Sequence, residues 1–253
     1  AVVGTVMVAL QGLGADRFDA GLVSIALGGA LIATLGFVDD RYGLSAGLRI
    51  AVQAAVVAAA GAAVGGAPDE VLTVIPWGTP WAGHLLCILV VLWFLNLFNF
   101  MDGIDGIAAS QGVFMPAGAA VLCALHGASL AEVSLFGGVA AAVMGFLIWN
   151  RPPARIFMGD SGSAYLGFLL PMLSLWVSIE APMPVWGLIV LGTLFIGDAS
   201  ATLLRRTLSG YRWSDAHRSH VYQRLARRFG HARVTLGYTF VNLVVVFPLA
   251  WMT

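Results

Sequence analysis

Lysine is absent from this 253-residue chain, and charged residues of every kind make up only 10% of it, where a soluble domain carries roughly a quarter. With 59% hydrophobic residues and a mean hydropathy of +0.89, that shortage excludes a soluble globular protein and leaves an integral membrane protein. Thirteen arginines balance thirteen acids. The chain therefore has no net field to attract a polyanion, and no nucleic-acid partner is expected. Cysteine is scarce as well. Cys87 and Cys123 both fall inside apolar runs and read as small buried hydrophobes, which leaves neither a disulfide framework nor a Cys/His cluster for zinc. The opening AVVGTVMVALQGLG has no initiator Met, basic leader or small-residue cleavage site. It reads as the tail of a helix, with a further segment expected upstream.

What is abundant is apolar sequence in lengths suited to a bilayer, where about 20 residues cross roughly 30 Å of hydrocarbon. Candidate spans are 1–13 (partial), 19–38, 47–65, 84–100, 107–125, 131–149, 162–179, 184–203 and 234–252. The expectation is an all-α, polytopic bundle of about nine transmembrane spans, forming one domain over residues 1–253. Alternating the spans puts the loops near 39–48, 101–106, 150–161 and 204–233 on one face, and every arginine except Arg17 lies in or beside them. The positive-inside rule assigns that face to the cytoplasm. Asp39, Asp40, Asp102, Asp105, Asp160 and Asp215 sit in the same loops. An acid at the bilayer centre costs about 2.5–3.5 kcal/mol even on the milder insertion scale, so acids at span ends point to a site facing protein, water or metal.

In NLFNFMDGIDG, polar residues recur every third position. Each such step drifts roughly 60° around a helix, so Asn99 and Asp102 can converge, and Gly103 and Gly106 let a ligand approach the backbone. Carboxylate and amide oxygens suit a hard divalent cation such as Mg²⁺. In VDDRYGLSAGLR, adjacent Asp39 and Asp40 point about 100° apart on a helix end, so separate tasks are expected, one of them a base; the plainer reading is helix punctuation with Arg41 as counterion. NRPPARIFMGDSGS sets Asp160 between Gly159 and Gly162 before a span, where helix N-terminal amides would favour an anionic ligand. Its GDSG is not taken as a protease nucleophile, because a β-barrel enzyme cannot be built from apolar spans. Downstream, Ser214 is expected to N-cap a helix ending before Gly230, with His217 and His220 on one face, and with Arg218 ready for phosphate contacts. Asp198, inside an apolar span, would orient this basic loop or satisfy a neighbouring helix.

VDDRYGLSAGLR, NLFNFMDGIDGIAA, NRPPARIFMGDSGS and AHRSHVYQRL, in this order over Leu35 to Arg233, resemble the motifs of the polyprenyl-phosphate N-acetylhexosamine-1-phosphate transferases. The O-antigen-initiating members are the nearest in pattern. The resemblance implies a multi-pass enzyme of the bacterial inner membrane with catalytic loops on its cytoplasmic face. It would transfer a sugar 1-phosphate from a UDP-N-acetylhexosamine to undecaprenyl phosphate, releasing UMP. It also implies Asn99 and Asp160 as ligands of Mg²⁺, or of Mn²⁺ in its place, and Asp39 as the group that deprotonates or positions the lipid phosphate. Asp40 and Asp102 would support metal and diphosphate, and His217 would complete the catalytic set. Gly103, Ile104 and Asp105 would line a uracil pocket with Phe157 stacked on the base, while Asn150, Arg218 and His220 would bind substrate. Membrane lipid is an implied partner, and a homodimer is compatible with it. The family's Arg/Ser/His stretch followed by Pro-Thr-Pro would lie upstream of residue 1, so weak or no activity is expected without it.

Two rivals are weighed against this. A CDP-alcohol phosphatidyltransferase also begins its motif with Asp-Gly, but needs Ala-Arg and two acids four residues apart, which IDGIAASQGVFMPAGAA lacks. An ion-coupled transporter would hold its acids near the membrane midplane on broken helices.

Overall fold

The computed structural model describes residues 2–13, 19–75, 79–181, 183–210 and 219–253. Among these there is no β-strand. The helices are α1 (Val2–Gly12), α2 (Ala20–Tyr42), α3 (Ala46–Val64), α4 (Asp69–Val74), α5 (Pro80–Met101), α6 (Ile107–Leu125), α7 (Leu130–Asn150) and α8 (Gly159–Glu180). They continue as α9 (Val185–Leu191), α10 (Thr193–Leu208), α11 (Val221–Phe229), α12 (His231–Val241) and α13 (Phe247–Trp251), with a π-helical turn at Asn242–Val246 between the last two.

Among the described residues, seven helices, counting 231–251 as one, are long and apolar enough to cross a membrane, and the α9–α10 pair, bent by 66°, makes up to eight. The protein is thus a multi-pass membrane protein. The count of about nine expected from hydropathy included the first segment, whose 11 residues are too short to cross by themselves. The segment expected as one span at 184–203 is broken at Gly192.

Local chemistry sets the helix ends. The Asp19 carboxylate accepts from Leu22 N–H at 2.9 Å to start α2, Ser45 caps α3, and Pro80 opens α5 where its missing N–H costs nothing. Gly43, at φ 68°, ends α2 in a left-handed turn. Packing follows from side-chain size. The inward face of α2 carries Gly21, Gly28, Gly29 and Gly36, letting α8 approach closely. A Cβ at Gly36 would lie 2.5 Å from the Asp160 carbonyl oxygen. Span α8 is 72% buried and α6 67%, against 28–44% for the others, so these two form the bundle's centre. Large apolar side chains such as Leu27, Leu31 and Phe37 stay exposed on the outside, as lipid contact requires.

Chain direction alternates. One end of the bundle therefore collects the C-termini of α2, α5, α7 and α10 and the N-termini of α3, α6, α8 and α12. Asp39, Asp40, Asp102, Asp105 and Asp160 are all at this end.

Candidate active site at one end of the bundle

The ends of α2 and α5 and the starts of α3 and α8 line a narrow cleft open to solvent, bordered by Asp39, Arg49, Gln53, Asn96, Asn99 and Asp160 among others. Arg49 is the centre of it. Its Nη1 pairs closely with Asp39 Oδ2 and lies 3.4 Å from Asp160 Oδ2, so one guanidinium bridges acids from two helices. Asp39 Oδ1 also accepts from Leu44 N–H at 2.7 Å, which ties the carboxylate to the turn that leads into α3. Asn99 Nδ2 donates to Ser163 Oγ at 3.2 Å, holding the amide beside the first turn of α8. Deeper by about one helical turn, Asn96 Nδ2 donates to Gln53 Oε1 at 3.1 Å.

Asp40 points elsewhere, as adjacent helical residues must. Its carboxylate accepts from the backbone N–H groups of Asp160 at 3.1 Å and Ser161 at 3.3 Å. The helix N-terminus that sequence assigned to an anionic ligand is thus occupied by the protein's own anion. Gly159, at φ 63°, has no room for a side chain there, since a Cβ would come 2.8 Å from Asp40 Oδ2. Asp102 caps the C-terminus of α5, its N–H donating to the Asn99 carbonyl at 3.2 Å. Burial, helped by the charges of Asp160 and Asp40, pushes its carboxyl up to about 7.

The loop after α5 is fixed from several sides. Asn150 is buried; its Oδ1 accepts from Gly106 N–H at 3.1 Å and its Nδ2 donates to the Ile156 carbonyl at 2.9 Å. The Asn150 amide therefore joins two loops of the site end. Asp105 Oδ2 accepts from Ala154 N–H at 3.1 Å, its Oδ1 lies 3.3 Å from His231 Nδ1, and its carbonyl accepts from Thr235. Ile104 is buried in the main hydrophobic cluster, whereas Phe157 is 77% exposed and available for stacking. Gly103 abuts Tyr222, whose hydroxyl a Cβ at residue 103 would overlap.

The basic loop differs from expectation where it is described. Helix α11 starts at Val221 with His220 as N-cap, not after Ser214, because Asp198 reaches across from α10 to accept from the N–H groups of Val221 and Tyr222. It ends before Gly230 as expected. The His220 ring is buried between Phe100 and Tyr222, with Nδ1 3.7 Å from Asp198, and it does not line the cleft. His217, Arg218, Ser214 and Asp215 lie outside the described residues.

Arg49 was missed by sequence reasoning, which offered only Arg41 as a counterion to the Asp39–Asp40 pair. The available signal was a lone arginine four residues inside an otherwise apolar span. Gln53, Tyr222 and His231 were missed because only the fold shows what they face.

Taken together, the site defines a polytopic membrane protein with acids, amides and one guanidinium from four helices converging at one end. The chain belongs to glycosyl transferase family 4, whose sequence model matches residues 22–178. It is 33% identical over 212 residues to a probable undecaprenyl-phosphate N-acetylglucosaminyl 1-phosphate transferase of Bacillus subtilis, covering 81% of this chain and 58% of that one. It is 29% identical over 280 aligned positions to a decaprenyl-phosphate N-acetylglucosaminephosphotransferase of Mycobacterium tuberculosis, covering 96% and 67%. A phospho-N-acetylmuramoyl-pentapeptide-transferase of Chlamydia muridarum is 33% identical over 131 residues, covering 49% and 38%. The chain thus spans less than two thirds of the Bacillus relative.

Proposed function

We propose that this chain is the phosphosugar-transferring core of a membrane enzyme that moves an N-acetylhexosamine 1-phosphate from its UDP donor to undecaprenyl phosphate, releasing UMP. The observation that carries the reading is the meeting of Asp39, Arg49, Asn99 and Asp160 in one cleft at the end of the bundle. One substrate dissolves in lipid and the other in water, so their reaction belongs at such a boundary. The crowding of the site's arginines into loops at this end supports a cytoplasmic-facing site in a bacterial inner membrane. Initiation of an O-antigen-type glycan is the finer reading we favour, on the AHRSHVYQRL stretch. Gathering of the acids at one end counts against an ion relay at mid-membrane.

Mg²⁺ fits the donor set. Asn99 and Asp160 offer an amide and a carboxylate, which suffices for an ion that keeps substrate phosphates and water as its other ligands. Asp102, whose carboxyl is raised chiefly by burial and secondarily by the charges of Asp160 and Asp40, lies close enough to feel both. Bound by Asn99 and Asp160, the ion would neutralise diphosphate charge developing in the transition state. In the reaction, an oxygen of the lipid phosphate attacks the sugar-linked phosphorus and forms the new P–O–P bond. The bond from that phosphorus to the UMP oxygen breaks, and UMP leaves with the electron pair. Asp39 positions the lipid phosphate and takes its proton when it carries one, Arg49 holds phosphate oxygens, and Phe157 stacks on uracil with Gly103 to Asp105 beside it. Full-length protein in membranes, given a panel of UDP-sugars, undecaprenyl phosphate and Mg²⁺, should release UMP from at least one N-acetylhexosamine donor. No UMP from any donor would overturn the proposal. Asp160→Asn should abolish turnover at ordinary Mg²⁺, and a wild-type rate in that variant would remove the metal assignment.

A further inference from the structure

Asp198 lies on α10, does not line the cleft, and is only 9% exposed. Its carboxylate is nonetheless heavily engaged. Oδ1 accepts from Val221 N–H at 2.8 Å and from the Thr202 hydroxyl at 3.3 Å, and Oδ2 accepts from Tyr222 N–H at 2.9 Å and the Tyr238 hydroxyl at 2.7 Å. A buried charge is tolerated only when it is satisfied in this way, so three helices, α10, α11 and α12, are locked to one group. Capping α11 would require no more than that.

The contacts continue past the cap. Tyr222 is fully buried, and its hydroxyl donates to the Phe100 carbonyl at 2.9 Å. The same hydroxyl fills the space where a side chain at Gly103 would be. The His220 ring lies stacked over Phe100, with centroids 6.3 Å apart and planes at 29°. Residues 100–103 follow Asn99 and carry Asp102, so the first turn of α11 is built onto the backbone of the turn that ends α5.

We propose that Asp198 is a positioning residue for the 100–103 turn: through the first turn of α11 and the Tyr222 hydroxyl it sets the place of Asp102 and the nucleotide end of the cleft. The alternative is a cap that stabilises α11 alone. The kinetic consequence rests on the transferase reading, whereas the structural linkage does not.

Two substitutions in the full chain, purified in detergent, separate these. Asp198→Asn removes the anion, and Tyr222→Phe removes a single oxygen while leaving the cap at α11 intact. By hydrogen exchange, Asp198→Asn should speed exchange at 219–224 and also, about tenfold or more, at 101–106; Tyr222→Phe should speed it at 101–106 alone. Exchange at 101–106 unchanged from wild type in both variants would overturn the proposal. Should Asp198→Asn fail to fold, Tyr222→Phe carries the test by itself. In turnover assays each variant should raise KM for the UDP-sugar about tenfold with kcat nearly kept, and the double variant should be no worse than the worse single one. Multiplying losses, or a fall in kcat at unchanged KM, would also overturn it. If wild type turns over no UDP-sugar, the transferase reading fails while the exchange result still decides the linkage.

Discussion

A single guanidinium placed between two carboxylates from different helices does two jobs, and substitution can separate them. Arg49 offsets the charge of Asp39, which is nearly buried, and keeps Asp160 from repelling it. Because the arginine is about a third exposed, solvent screens part of that energy. Arg49→Ala is therefore expected to cost about 1–3 kcal/mol in stability, below the roughly 3–5 kcal/mol of breaking a fully buried pair. It should also lower UMP release about a hundredfold by removing a phosphate contact. Adding Asp39→Asn to that variant should restore melting temperature, and a melting temperature left at the Arg49→Ala value would show that Arg49 does more in the fold than offset Asp39. Asp102 gives a second residue-level test. Its carboxyl sits up at about 7 against an ordinary 3.8, so the folded protein favours the protonated form. Its contribution to stability is complete below about 4 and is lost as pH rises through about 7. Asp102→Asn, which cannot ionise, should therefore melt progressively higher than wild type between pH 4 and 7, with a constant gap above. A gap independent of pH over that window would contradict the burial argument.

At the scale of the helix, the break between α9 and α10 has its own support. Where a span is interrupted, freed carbonyls must find donors away from water. Gln111 on α6, almost fully buried, donates from Nε2 to the Leu191 carbonyl at 2.9 Å, and its Oε1 accepts from Asn242 Nδ2 at 2.7 Å. Asn242 opens the π-helical turn, so two irregular backbone segments share one amide pair. Gln111→Leu keeps volume but strands both partners. We expect about 1–2 kcal/mol lost from thermal stability in detergent, the range model peptides give for polar contacts between membrane helices and above the average of about 0.6 found within a folded one, because two partners are stranded here. Asn242→Ala added to it should cost little more, since the pair is already broken. Two independent, additive losses would show that the amides do not work together. Hydropathy could not have found this feature. The run from 184 to 203 is apolar up to Asp198 save for Thr193, and one glycine at 192 in a chain with 31 glycines is no signal of a break. The straight spans were legible for the same reason: α5, expected at 84–100, runs from Pro80 to Met101, with Pro and Asp at its borders.

For the whole molecule, sequence alone was enough to bring the acids to one end, because alternating spans leave no other arrangement for Asp39, Asp102 and Asp160. Which group faces which was not legible. Asp40 reaches the first amides of α8 because glycines on α2 let α8 come within backbone distance, whereas Asp39 meets Arg49, not Arg41, because the turn at Gly43 folds the start of α3 back beside it. Those pairings are tertiary facts with no local pattern. The arrangement does make one global demand: if the cleft faces the cytoplasm, the opposite end must face away from it. Phe157 at the site end and Leu130 at the far start of α7 are 77% and 81% exposed, and both native cysteines are buried. With Cys87 and Cys123 changed to alanine, a membrane-impermeant maleimide applied to intact cells should label Leu130→Cys and spare Phe157→Cys, and inverted vesicles should reverse this. An odd number of crossings lies along α7 between the two positions, so labelling of both from one side would break the alternation that gathers the site. Labelling of Phe157→Cys from outside would turn the cleft away from any cytoplasmic nucleotide and end the proposed reaction, whatever the local geometry.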